Sequence, residues 1–356
     1  MAEGWAEHAG TRHHGAHGRA AARALGVVEE DFLDFSQNIN PLGAPPAALA
    51  AARAALDRDT GRYPDLSYSE LREALGAYLG VEPERIVPTN GGAEALFLAA
   101  RAARGTGRAV VLEPTFSEYA PAAGAAGLSP DRRVAHRPED GFRLDMGALE
   151  DLDNVGLVFL CNPNNPTGGL LGRDAVMEVA ARVGRAGAAL VVDEAFVDFA
   201  PEASVADLVN SHLLVTRSFT KFFGIPGLRL GCLVCQDAGR VLALQPSWPV
   251  NAVAAAAGVA AVGDERFTGR SIREVARLRQ DLVRAISEIE GLEVFPGAAN
   301  FLLARGPEGL TERLARRGVL VRGCTPFAGL GPGFFRVAVR DGRNNAALVE
   351  ALRGTL

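Results

Sequence analysis

Four short apolar runs, at residues 109–112, 156–160, 188–192 and 213–216, recur along the middle of the chain, with alanine-rich stretches such as 92–103 and 173–185 between them. Runs of four or five apolar residues suit strands buried on both faces. Strands alternating with helices in this way predict a mostly parallel sheet covered by helices on each side, an α/β fold. Ligands of such sheets bind beyond the carboxyl ends of the strands, so the residues that follow each run are the candidates for chemistry. After residue 245 the pattern changes. A Pro-Ser-Trp-Pro turn leads to a helical stretch and an Arg/Glu-patterned helix over 265–290. Short strands at 292–295 and 300–304, a helix over 310–317 and a last strand at 334–339 follow. That predicts a smaller α+β domain. At roughly 150 residues per domain, the 356 residues divide into a large domain over 45–247 and a small one made of 1–44 and 248–356, its N-terminal segment covering the substrate.

Charge narrows the partners. Lys+Arg 37 against Asp+Glu 42 leaves a net charge of −5, with no excess of cations to neutralise a phosphate backbone, so nucleic acid is not expected as a partner. The longest uncharged alanine-rich run, 252–262, falls far short of the roughly 20 apolar residues that span a bilayer, so no membrane is expected either. The N-terminus carries His13, His14 and His17 and lacks an apolar segment behind a basic start, unlike a secretory signal. Four cysteines make no disulfide framework, and a reducing cytoplasm is the expected location. Cys232 and Cys235 share a Cys-x-x-Cys spacing inside an apolar run with no second pair, which reads as core packing and predicts no metal site.

Among the 37 basic residues there are 36 arginines and one lysine, Lys221. Arginine serves wherever a plain positive charge is needed, but its guanidinium stays protonated and cannot act as an amine nucleophile. A lone lysine in such a chain points to imine chemistry. Its neighbours agree. Ser218-Phe-Thr-Lys221 follows the strand that ends near Thr216, and Arg229 comes eight residues later. The Ser218 and Thr220 hydroxyls with the Arg229 guanidinium suit a phosphate dianion. Asp193 ends the run 188–192, where a buried carboxylate needs a cationic partner. A protonated pyridine nitrogen would serve, and so would a neighbouring arginine. Asn90-Gly-Gly-Ala-Glu94 follows a strand and opens a helix, whose first backbone N–H groups attract phosphate. It lacks the spacing of a nucleotide loop. Asn162-Pro-Asn-Asn-Pro-Thr-Gly168 follows the run 156–160 and fixes Asn165 in a rigid loop.

Together and in this order, these strings resemble the fold type I pyridoxal-phosphate enzymes, the aspartate aminotransferase superfamily, from Phe35 to Arg340. The resemblance implies pyridoxal 5'-phosphate as cofactor, joined through the Lys221 amine, with Asp193 on the pyridinium nitrogen and Asn165 on the ring hydroxyl. It further implies Gly92, Ala93, Ser218, Thr220 and Arg229 around the phosphate and Phe116 stacked on the ring. Tyr63 would reach the phosphate of a neighbouring subunit, so a homodimer with shared active sites is expected.

Two branches of this family act on phosphorylated amino acids, the threonine-phosphate decarboxylases of cobalamin synthesis and the histidinol-phosphate aminotransferases. Phe35-Ser-Gln-Asn-Ile-Asn-Pro-Leu-Gly43, His14-Gly15, Trp248-Pro-Val-Asn251 and Phe196 resemble the former. Ala16, His17 and Pro249 depart from its pattern. The resemblance implies decarboxylation of a phosphorylated amino acid, with transamination as the alternative, and a substrate gripped by Arg322, Arg336, His14 and Asn165.

Overall fold

The computed structural model describes residues 32–103 and 106–356. His13, His14 and His17 lie outside the described residues. The chain runs through β1 (Leu33–Asp34), α1 (Pro46–Asp59) and α2 (Ser69–Leu79) into the sheet. There β2 (Ile86–Thr89), α3 (Gly91–Ala102), β3 (Arg108–Glu113), α4 (Tyr119–Ala125), β4 (Ser129–Val134) and β5 (Val155–Cys161) follow in order. Helix α5 (Arg173–Arg185), β6 (Ala189–Asp193), β7 (Leu213–Ser218) and β8 (Gly231–Val234) complete it. The sheet has seven strands in the order β2-β8-β7-β6-β5-β3-β4. All neighbours are parallel except those of β8, which runs against both β2 and β7.

Alternation along the strands feeds two separate cores, because successive side chains leave a strand on opposite faces. Val158, Leu160, Leu190, Val192, Leu213 and Val215 pack on one face. Leu157, Phe159, Cys161, Ala189, Val191 and Leu214 pack on the other, with α3 and Tyr119 of α4. The four apolar runs read from the sequence are β3, β5, β6 and β7. Strand β2 is the one expected before Asn90 and β8 holds most of the apolar run at Cys232, while β4 is an addition: Ser129–Val134 is mostly polar and edges the sheet. Cys232 and Cys235 face the two different cores, so their thiols share no site.

Beyond the large sheet come α6 (Ala252–Val262), α7 (Glu265–Ser287), β9 (Glu293–Phe295), β10 (Phe301–Arg305) and α8 (Leu310–Arg316). The chain closes with β11 (Val319–Leu320), β12 (Arg322–Gly323), β13 (Phe334–Ala338) and α9 (Gly342–Arg353). An antiparallel sheet, β12-β13-β10-β9, carries a third core that takes in Leu278, Leu282, Leu302, Phe335 and Val337. Helix α6 begins beyond residue 247 yet packs in the large-sheet core, where Ala254, Ala257 and Ala261 give α1 and α2 a close approach. Helix α7 spans both bodies, with Val275 in the large core and Leu278 onward in the small one. No helix among the described residues is long and apolar enough to cross a membrane.

Candidate active site

Three strand ends place three functional residues. Cys161 ends β5 and leads into the loop that bears Asn165, Asp193 is the last residue of β6, and Ser218 is the last of β7. The side chain of Asp193 shares its face of the sheet with Cys161 and Tyr119. It is 5% exposed. Oδ2 accepts from the Tyr119 hydroxyl at 2.7 Å, and Oδ1 accepts from Ala195 N (3.1 Å) and Thr216 Oγ1 (3.2 Å). Burial pushes its carboxyl up from the usual range, against the pull of the Tyr119 hydrogen bond and the Lys221 amine. No arginine forms an ion pair with it among the described residues. The structure therefore rules out the arginine partner, and a carboxylate this deep fits a protonated ring nitrogen.

Lys221 follows in the one-turn helix Phe219–Phe222. Nζ donates to Ser218 Oγ at 2.9 Å, and Ser218 Oγ lies 3.0 Å from Thr220 Oγ1. Nζ also sits 5.7 Å from the Phe196 ring centre. Burial holds the amine below the ordinary lysine range; Asp193 opposes that shift and the Arg229 guanidinium adds to it. A lowered pKa leaves more free amine at neutral pH, as imine formation requires. The Lys221 carbonyl accepts from Asn40 N at 2.9 Å. Asn40 Nδ2 reaches Phe222 O (2.7 Å) and Ser271 Oγ (2.9 Å), so the 35–43 segment is laid along the lysine's own backbone.

Arg229 adopts a left-handed backbone (φ 62°) that brings its guanidinium against the start of α3. A Cβ on Gly91 would stand 2.5 Å from Arg229 Nη2, and one on Gly92 would stand 3.0 Å from Ser218 Cβ. Two glycines thus let a helix start, two hydroxyls and a guanidinium converge, and Ala93 sits one residue into the same turn. That is a cradle for a phosphate dianion. The sequence reading holds Gly91 in its Asn90–Glu94 string without giving it a part in the cradle, although its backbone (φ +80°) is the one that favours glycine. Gly91→Ala is expected to weaken pyridoxal-phosphate affinity about 10- to 100-fold, roughly 1.4–2.7 kcal/mol, in a titration followed by cofactor absorbance. An unchanged affinity would take Arg229 out of the cradle.

The Asn162–Gly168 loop is anchored from within. Asn164 Nδ2 donates to Pro114 O (2.9 Å) and Thr167 Oγ1 (2.9 Å), and its Oδ1 accepts from Thr115 Oγ1 (3.0 Å). This ties Asn165 to the segment that carries Phe116, whose ring meets Tyr119 edge-on at 5.8 Å. From the small sheet, Arg336 donates through Nη1 to Asn165 Oδ1 and through Nη2 to Ser36 O at 3.0 Å. With its amide oxygen turned inward, Asn38 accepts from Arg336 Nε (3.3 Å) and Nη1 (3.2 Å). The Arg336 guanidinium lies 5.3 Å from the Phe301 ring centre, and burial lowers its pKa to about 10. Arg322, paired with Arg336 across β12 and β13, lies 5.9 Å from the Phe327 ring centre and is also held down by burial. Both residues are buried, Arg322 at 9% and Arg336 at 6% exposure. Burying two cations side by side is costly unless anions complete them.

Tyr63 stands apart from this group, 79% exposed and stacked at 4.5 Å on Trp248, whose Nε1 donates to Pro64 O at 3.2 Å. On the opposite face of the sheet, behind Asp193 and Ser218, lies a set of charges that the sequence reading does not contain. Arg217 donates through Nη1 to Glu194 Oε2 (3.0 Å) and through Nη2 to Asp198 Oδ1. Tyr78 donates to the same Asp198 oxygen at 2.9 Å, and Ser204 Oγ and Val205 N donate to Glu194, both at 2.7 Å. Among the described residues no cluster of three or more His, Cys, Asp or Glu is placed to hold a metal.

The residues present fit pyridoxal phosphate: an amine for its aldehyde, a buried carboxylate for its ring nitrogen and a cradle for its phosphate. The family model described as aminotransferase class I and II matches residues 30–352. The chain is 38% identical over 353 residues to a threonine-phosphate decarboxylase of Salmonella typhimurium, covering 96% of each. Among solved structures it resembles a histidinol-phosphate aminotransferase from Clostridium acetobutylicum (TM-score 0.83, 28% identity, 90% of this chain and 98% of that one). It also resembles an L-threonine-O-3-phosphate decarboxylase from Porphyromonas gingivalis (TM-score 0.80, 26% identity, 90% and 98%).

Proposed function

The chain belongs to the class I and II aminotransferase family, and on that premise we propose that it is a pyridoxal-phosphate-dependent lyase. It removes the carboxyl group of L-threonine O-3-phosphate to give (R)-1-aminopropan-2-yl phosphate, a step of cobalamin synthesis. The observation that carries this reading is the 38% identity, end to end, with a threonine-phosphate decarboxylase.

Each residue has a task. Lys221 would hold the cofactor through Nζ and, once substrate is bound, would stand ready to deliver a proton to Cα. Ser218, 2.9 Å from Nζ, steadies the amine in that interval. Asp193 keeps the ring nitrogen protonated. When bound, the cofactor supplies an electron sink for the pair left on Cα. The protein's choice is which bond at Cα to weaken, and Arg322 and Arg336 make it by gripping the substrate's phosphate and carboxylate. Asn165, fixed by Arg336, would bond the ring hydroxyl. Gly92, Ala93, Ser218, Thr220 and Arg229 would take the cofactor phosphate, and Phe116 would cover the ring. A second copy of the chain completes the site: Tyr63 points outward on a surface where Leu56 and Leu66 are also more than half exposed, an arrangement suited to burial against a partner. The reading places the enzyme in the cytoplasm, where its four buried free thiols stay reduced.

The second reading is transamination of histidinol phosphate, favoured by the likeness to the aminotransferase structure. Threonine phosphate labelled at its carboxyl carbon separates the two. The decarboxylase releases labelled CO2 in equal amount to the aminopropyl phosphate. Release of no CO2, with a keto product formed from histidinol phosphate and a 2-oxo acid, would replace the first reading by the second.

A further inference from the structure

The cofactor loop and the small sheet meet at two glycines. A Cβ on Gly297 would stand 2.8 Å from Gly168 Cα and 3.1 Å from Gly168 O, and Ala298 N donates to Gly168 O at 2.8 Å. The two backbones are therefore in direct contact, with no room for a side chain on either. Gly168 uses a left-handed backbone (φ +75°). Gly297 does not, so its lack of a side chain answers to the contact alone.

The contact sits where the substrate grip is set. Its partner loop bears Asn165 three residues before Gly168, and on the other side residues 298–300 lead into β10. Phe301, the first residue of β10, carries the Arg336 guanidinium on its ring, and Arg336 pairs in turn with Arg322. The loop cannot retreat from Gly168, because Arg279 of α7 holds it from behind through Nη1 to Ala298 O (2.8 Å) and Ala299 O (3.1 Å). Beside it, Phe142 packs edge-on against Phe295 at 4.9 Å and Phe334 at 6.1 Å, closing the same seam. Any atom added at Gly297 must push the small sheet and its two arginines away from the cofactor loop.

We infer that the Gly168–Gly297 contact is the spacer that fixes the distance from the substrate-gripping arginines to the cofactor pocket, with Gly297 a positioning residue for substrate. The inference rests on the proposal that Arg322 and Arg336 grip the phosphorylated substrate. The added Cβ is about 0.6 Å short of ordinary contact at 3.4 Å. A misplacement of about 1 Å can cost about 100-fold in rate; scaled to this shift, the grip on the substrate weakens roughly tenfold.

The test is Gly297→Ala in the holoenzyme. Binding of threonine phosphate is followed through the cofactor's absorbance by stopped flow, before turnover, and pyridoxal-phosphate affinity is measured separately. The expected result is a dissociation constant for threonine phosphate raised about tenfold, with cofactor affinity within about twofold of wild type. Gly227→Ala, where a Cβ meets nothing within 4 Å, is the control and changes neither. Both affinities unchanged in Gly297→Ala, or both weakened together, would overturn the inference. Should that variant fail to fold, Arg279→Met decides: it frees the loop from behind and is expected to raise the threonine-phosphate constant at least about threefold, and an unchanged constant would overturn the inference. If the wild type binds histidinol phosphate and not threonine phosphate, the substrate reading fails by itself, and the same comparison is made with histidinol phosphate.

Discussion

Asp193→Ala lowers the rate of CO2 release from threonine phosphate by about a thousandfold, while the protein still folds and binds the cofactor's phosphate. The size follows from what the carboxylate does. On the proposed reading it is a preorganised charge in a water-excluded site, aimed at the ring nitrogen, and removal of such a group costs about 10²–10³ in rate. Its position is set in advance by Tyr119, Thr216 and the Ala195 N–H, so no reorganisation accompanies the reaction. Asp193→Asn is expected to lose nearly as much, because an amide presents an oxygen but no charge to hold the ring proton. Tyr119→Phe removes one of the three donors and costs less, about tenfold. Single-turnover rates at saturating cofactor check all three. A loss below about tenfold in Asp193→Ala would mean that the carboxylate serves the fold and not the chemistry.

The largest expected effect on stability lies on the other face of the sheet. Arg217→Ala leaves Glu194 and Asp198 buried at 0% and 2% exposure with no guanidinium between them. Breaking a buried ion set by removing one partner costs about 3–5 kcal/mol, because the remaining charges are stranded. The bonds at Ser204, Val205 and Tyr78 soften this without neutralising it. Arg217→Lys keeps the charge but not the planar fork that spans two carboxylates, and falls between alanine and wild type. Urea unfolding of the holoenzyme measures both. A loss of less than about 1 kcal/mol for Arg217→Ala would show that the cluster is not held by its arginine.

Much of this molecule was legible in its residues, for reasons that differ from place to place. Strands β5, β6 and β7 announced themselves because both faces are buried, which leaves unbroken apolar runs. Strand direction then marked the residues after them as candidates for a site, and the family resemblance supplied their roles. Lys221 stood out because the chain otherwise uses arginine. The edge strand β4 escaped because its solvent side is polar, and the packing of α6 on the large sheet escaped because an alanine stretch shows no preferred face. Tyr119 gave no signal: its link to Asp193 spans 74 positions and arises only when α4 folds over the sheet. The Glu194–Arg217–Asp198 set was within reach of parity. Arg217 lies between Thr216 and Ser218 on a strand, so it points to the opposite face, as does Glu194 beside Asp193. The Gly168–Gly297 contact had no trace in the sequence, since its meaning lies in two backbones that meet only in the fold.

Borohydride reduction of the active holoenzyme, followed by tryptic digestion and mass spectrometry, addresses the core of this account more directly than any rate. One phosphopyridoxyl group per chain, on the peptide containing Lys221, is the predicted result. Fully active enzyme whose Lys221 peptide carries no such group would contradict it.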